Sequence, residues 1–413
     1  MTNFQQNLEK YAELVLRKGV NIQDKQTLMI SAPTEAVEFV RVVAKKAYEL
    51  GAKDVHMNWM DEELTRLRYE HAPLEVLETV PQWVVDKYDY FAEDGAAVLS
   101  IKPSNPDLLK GIDASRIAAS NKASSQAMTN FRNYTMNDRL TWCVASVPGK
   151  EWAKKIFPDA TEEDAVEKLW EQIFRITRAN HEDPIASWDE HNKTLAKVKD
   201  FLNKKNFKKL IYKAPGTDLE LELPENHVWK GGASPTEKGI PFNANIPTEE
   251  VFSMPHKYGV NGTVKNTKPL NYGGNLVDNF TLTFKDGKIV DFTAEEGYDT
   301  LKHLLDTDEG ARRLGEVALV PHESPISQSG LIFYNTLYDE NASCHLALGK
   351  AYPTSIQGGS NMNDEELDKH GVNNSLIHVD FMMGSAELDI DGVTADGKTE
   401  AVFRQGSWAI DFN

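Results

Sequence analysis

His378 and Asp380, two residues apart, carry the plainest chemistry in the chain. They stand in Ser375-Leu376-Ile377-His378-Val379-Asp380-Phe381-Met382, where apolar residues alternate with them, so the segment reads as a strand. The period of two sets imidazole and carboxylate on one face. Such a pair suits a borderline divalent metal, although a structural His–Asp hydrogen bond would produce the same spelling. A second histidine, His345, lies in the apolar run Ala342 to Gly349, where a satisfied core histidine is the commoner outcome. Leu314 to Val320 embeds Glu316 among apolar residues. A buried unpaired carboxylate is costly, so Glu316 needs a metal, a cation or strong donors. Glu249 and Glu250 precede Val251-Phe252. They would equally suit the first turn of a helix, where acids favour the dipole, and spacing alone does not choose between them. Taken together, three carboxylates and two imidazoles can hold two metal ions about 3.5–4 Å apart, with one carboxylate bridging.

Other spellings lead nowhere. Gly392 to Thr399 matches the letters of a phosphate-binding loop. Such a loop needs a helix after it, and here the strand-like Ala401-Val402-Phe403 follows Asp396-Gly397, which reads as a hairpin turn. There is no His-Glu-x-x-His and no Gly-x-Ser-x-Gly, which argues against a zincin helix and a serine-hydrolase elbow. Cys344 beside His345 does not make a nucleophile–base pair, because strand neighbours point to opposite faces.

The elements that must position these residues fall into two textures. Up to about residue 205, strand-like runs (Thr27 to Ile30, Asp54 to Trp59, Ala97 to Ile101, Leu140 to Val147) alternate with helical stretches. The helical ones are Phe4 to Lys18, Thr34 to Leu50, Glu162 to Arg178 and Pro184 to Lys205. That alternation predicts an α/β domain, residues 1–206, with a largely parallel sheet. From residue 207 short β-rich runs are broken by Gly, Asn and Pro turns, with Asp286-Gly287 reading as a tight hairpin and Tyr298 to Leu305 as a helix. The expectation for 207–413 is a β-rich α+β domain that carries the metal-binding, catalytic residues.

A chain of 413 residues is long for one core and suits two domains. Its net charge of −18 repels nucleic-acid phosphates and excludes a general basic footprint. No apolar run approaches the roughly 18 residues needed to cross a bilayer, and the first residues lack the layout of a secretory signal. With two cysteines, Cys143 and Cys344, neither a disulfide framework nor a thiolate metal cluster is available. The expectation is a cytoplasmic protein that engages neither nucleic acid nor membrane.

Several of these segments closely resemble the aminopeptidase T / aminopeptidase S family of metallopeptidases. The matching stretches are Pro247 to Phe252, Gly315 to Leu319, Asn341 to Gly349 and His378 to Met382, with Asn335 to Leu337 and Pro321 to Ser327 in support. The resemblance covers nearly the whole chain. It implies an exopeptidase that hydrolyses the N-terminal peptide bond with two divalent ions, zinc, cobalt or magnesium, and a metal-activated water. The family's ligand pattern falls on Glu250, Glu316, His345, His378 and Asp380, and its active-site tyrosine on Tyr352. Glu316 would bridge the ions, and Tyr352 would hydrogen-bond the developing oxyanion. Glu249 or another acid would bind the substrate's α-ammonium group or act as base. The resemblance also implies a homodimer acting on peptides with a free N-terminus. Rival readings are a dinuclear hydrolase of a non-peptide amide and a metal- or peptide-binding protein without turnover.

Overall fold

The computed structural model describes residues 3–102, 105–410 and 412. The chain divides into two compact units, Met1–Lys193 with Gly232–Thr248 and Thr194–Gly231 with Glu249–Asn413. The changeover falls within the helix Pro184–Lys205, and the segment 232–248 returns to the first unit.

The first unit is α/β. Its strands β1 (Thr27–Pro33), β2 (Asp54–Met60), β3 (Ala97–Lys102) and β4 (Trp142–Ser146) form a parallel sheet in the order β2-β1-β3-β4. Central β1 is covered on both faces, and Leu28, Met29 and Ile30 are all fully buried, which is why it reads as a continuous apolar run. Helix α1 (Asn3–Leu14) buries Leu8, Tyr11 and Leu14 on one stripe. Helix α2 (Val37–Glu49) buries Phe39, Val40 and Val43, and Gly51 follows its last turn at φ +96°, a conformation glycine adopts without a Cβ penalty.

The second unit is β-rich. An antiparallel sheet of eight strands runs from Lys288–Thr293 at one edge to Ser407–Trp408 at the other. Its hairpin Thr281–Lys285 to Lys288–Thr293 turns at Asp286 (φ 49°) and Gly287 (φ 77°), the left-handed pair a two-residue hairpin demands. The sequence Gly392 to Thr399 is likewise a hairpin between the strands Asp389–Val393 and Thr399–Arg404, so no helix start is present to cradle a phosphate.

A second sheet in this unit positions the candidate residues. Its strands are β5 (Lys230–Gly231), β6 (Val251–Ser253), β7 (Leu314–Leu319), β8 (His345–Gly349) and β9 (His378–Met382), arranged β9-β8-β7-β6-β5. Val251, Val317, Leu319, Leu346, Leu348, Val379 and Phe381 point into a large apolar core shared with the eight-stranded sheet. By the strand period of two, the alternate residues must occupy the opposite face.

Candidate metal centre

That opposite face gathers the chemistry. The register pairs Glu316 with Ala347 and Ala347 with Asp380, so the two carboxylates flank a small side chain on one row. One step along, Ala318 pairs with His345, and in the other direction Gly349 pairs with His378. Besides His345, strand β8 presents only Ala347 and Gly349 to this side, which leaves room between the acidic and imidazole groups.

Glu250 and Glu249 resolve by the same parity. Glu249 and Glu250 begin no helix and lead straight into the strand at Val251, so the helix-start reading does not apply. Val251 pairs with Leu319 on the core side, and Phe252 pairs with Ala318 on the site side. Glu250 shares the parity of Phe252 and lies with Oε2 at 2.9 Å from His345 Nε2. Glu249 falls in neither group of possible ligands.

Four distances define the cluster. His345 Nε2 is 2.9 Å from Glu250 Oε2 and 3.6 Å from Glu316 Oε1. His378 Nε2 is 3.6 Å from Glu316 Oε2 and 3.5 Å from Asp380 Oδ1. Two groups of possible ligands result, Glu250-Glu316-His345 and Glu316-His378-Asp380, with Glu316 in both.

The tautomers follow from the outer hydrogen bonds. His345 Nδ1 lies 3.1 Å from the carbonyl oxygen of Ser343, and His378 Nδ1 lies 2.6 Å from that of Lys350. A carbonyl can only accept, so each Nδ1 carries a proton and donates it. In a neutral ring each Nε2 is then a bare lone pair facing carboxylate oxygens, an arrangement that calls for a cation between them. Consistently, Glu250 Oε2 and Asp380 Oδ1 are buried and accept no hydrogen bond of good geometry, despite their closeness to the imidazoles. The mixed oxygen and imidazole donors suit zinc, cobalt or magnesium better than a soft monovalent ion.

Electrostatics point the same way. Burial pushes the Glu316 carboxyl up to about 7, helped by the charges of Asp380 and Glu250 and opposed by His345 and His378. Burial would depress both imidazoles, yet Glu250 and Glu316 hold His345 well above its ordinary value. Asp380 and Glu316 likewise bring His378 up to about 9. Burial would raise Asp380, but His378 and His345 bring it below the usual carboxylate range.

Two nearby residues complete the picture. Tyr352, just past β8, sets its ring edge-on to His378 with centroids 5.0 Å apart and lies 5.9 Å from the ring of Phe252. Burial and the charges of Glu316, Asp380, Glu250 and Glu340 hold its phenol well above the ordinary value, so it stays protonated. Glu340 went unread in the sequence. It is 7% exposed, in the short turn Glu340–Ala342. Burial, then the charges of Asp380 and Glu250, raise its carboxyl well above the usual range. Its only sequence signal is its place five residues ahead of His345 in a stretch that otherwise turns apolar. With the three buried carboxylates of Glu250, Glu316 and Glu340 and the partly buried Asp380, four acids gather here, and two dications would balance them when all are ionised.

An α/β unit and a β-rich unit with buried carboxylates and imidazoles on one sheet face define a metal-dependent hydrolase. The family profile described as "Thermophilic metalloprotease (M29)" matches residues 4–408, and the chain belongs to that family. The chain is 59% identical over 411 residues to Aminopeptidase 2 of Geobacillus stearothermophilus, with 100% of both chains covered. It is 51% identical over 410 residues to Aminopeptidase AmpS of Bacillus subtilis, covering 99% of this chain and 100% of that one. The solved structure of wild-type AmpT from Thermus thermophilus superposes with a TM-score of 0.90 at 42% identity, covering 98% of this chain and 100% of that one. The α/β unit with its parallel sheet and the β-rich unit are thus the fold of this family, and the enzyme class is metal-dependent aminopeptidase.

Proposed function

We propose that this enzyme removes N-terminal residues from peptides with a free α-amino group, and that Glu250, Glu316, His345, His378 and Asp380 hold two divalent ions for the reaction. The observation that carries the reading is the aim of Glu316, whose Oε1 and Oε2 each lie 3.6 Å from the Nε2 of a different histidine. A carboxylate shared in this way is the natural bridge of a dinuclear site.

When bound, the ions would supply Lewis acidity, polarising the scissile carbonyl and lowering the pKa of water. The chain's own groups do the rest. Ser343 and Lys350 hold the two imidazoles through their Nδ1 protons, keeping each Nε2 a lone-pair donor. The Tyr352 hydroxyl, kept protonated, donates a hydrogen bond to the carbonyl oxygen as it gains charge. Glu340 is the further buried acid beside these charges; ionised once the ions are bound, its carboxylate would accept the proton of the attacking water and return it to the leaving amine.

The reading extends to zinc, cobalt or magnesium as the ions and to a catalytic domain made of residues 207–413. It extends also to a cytoplasmic homodimer. Both cysteines are free and buried, as suits a reducing compartment, and among the described residues no helix is long and apolar enough to cross a membrane. Matched peptides with free and N-acetylated termini test the function. Cleavage of the free form alone, lost on chelation, is expected, and equal cleavage of both would overturn the aminopeptidase assignment.

A further inference from the structure

Asn341 is fully buried and uses both ends of its side-chain amide. Its Oδ1 accepts the backbone N–H of Glu249 at 2.7 Å. Its Nδ2 donates to the carbonyl oxygen of Leu337 at 2.9 Å and to Glu340 Oε1 at 3.3 Å. One side chain therefore touches the residue just before Glu250, the helical turn Thr336–Asp339 and the buried acid Glu340.

The first of these contacts has a consequence for register. Two glutamates stand side by side at 249 and 250, and strand parity lets only one face His345. A slip of a single residue would exchange them. The bond from Glu249 N–H to Asn341 Oδ1 fixes the backbone at the point where that choice is made. The same amide donates to a carboxylate oxygen of Glu340 and so limits the directions that group can take.

We propose that Asn341 is a positioning residue that aims Glu250 at His345 and holds the Glu340 carboxylate in place through one rigid amide. The proposal rests on the two-metal reading above. An amide that merely filled the core would affect stability alone, whereas partners behind metal ligands commonly change metal affinity or activity by about 10–100-fold.

Two variants of the full chain separate these roles. Asn341→Ala removes all three hydrogen bonds. Asn341→Asp keeps the volume and the acceptor for Glu249 N–H but loses both donations and sets a charge beside Glu340. Each variant is stripped with a chelator and titrated with cobalt(II), following the visible bands that report coordination geometry, beside a thermal melt and steady-state kinetics. For Asn341→Ala the expected result is cobalt affinity down about 10–100-fold with shifted bands. Its kcat should fall at least about tenfold, with KM changed by less than about threefold. For Asn341→Asp the expected result is native cobalt bands with a comparable loss of kcat. Native bands, affinity and kcat in Asn341→Ala would overturn the proposal whatever its melting temperature. Should the alanine variant not fold, native bands together with native kcat in Asn341→Asp would overturn it. Failure of the unaltered chain to take up cobalt would instead overturn the two-metal reading, and the proposal with it.

Discussion

His378 donates its Nδ1 proton to the carbonyl oxygen of Lys350 at 2.6 Å, which fixes the ring and turns Nε2 toward Glu316 and Asp380. Burial alone would depress this imidazole, but the two carboxylates bring it up to about 9 in the metal-free chain. A raised folded-state value means that the protonated ring stabilises the fold fully below the unfolded value of roughly 6.5. That contribution is lost as pH rises through about 9.

Metal ions compete for the same lone pairs as those protons. The gain in melting temperature on adding cobalt is therefore expected to grow between pH 6.5 and about 9. Calorimetric titration in buffers of different ionisation enthalpy should show protons released on binding. A gain that shrinks over that range, with no proton release, would contradict the assignment of His378.

Glu316→Ala is expected to lower metal content to one ion or none per chain and to cost more activity than Glu249→Ala. The first change removes a carboxylate facing both histidines, and the second removes one that belongs to neither ligand group. Elemental analysis beside turnover measures both, and unchanged metal content in Glu316→Ala would refute the bridging role.

Tyr352→Phe removes one hydroxyl and keeps the ring that packs edge-on to His378. Loss of one oxyanion donor should lower kcat and kcat/KM together by about 10²–10³, with metal content and melting temperature retained. Native kcat with a lowered melting temperature would make the tyrosine structural.

Glu340→Gln should keep both ions and lower kcat by about 10²–10⁴, the usual range for a lost general base. Metal loss with a modest kinetic effect would move Glu340 into the ligand set instead.

How much of this was legible in sequence depends on burial. Strand β1 announces itself because Leu28, Met29 and Ile30 are all buried. The helix Glu62–His71 buries no residue, and Ala114–Ala127 buries only Ile117, so neither imprints an apolar period and both went unread. In the site, His378 and Asp380 were readable because β9 alternates cleanly with the core residues Val379 and Phe381. Glu316 and His345 were legible only in company, since strand β7 is buried on both faces. Spacing could not choose Glu250 over Glu249 and the family pattern did; the physical reason lies in the pairing of Val251 with Leu319, a contact 68 residues away in sequence that no local pattern encodes. Glu340 and Asn341 lie in a single 3₁₀ turn with no period, and their roles come from tertiary contacts alone.

The central claim is that two ions held by Glu250, Glu316, His345, His378 and Asp380 carry the reaction. The most direct measurement is activity on a free-amine peptide as chelated, metal-free enzyme is titrated with cobalt, with bound metal counted at each point. The account predicts no turnover in the stripped enzyme and full activity on reaching two ions per chain. Full activity at zero bound metal would contradict it.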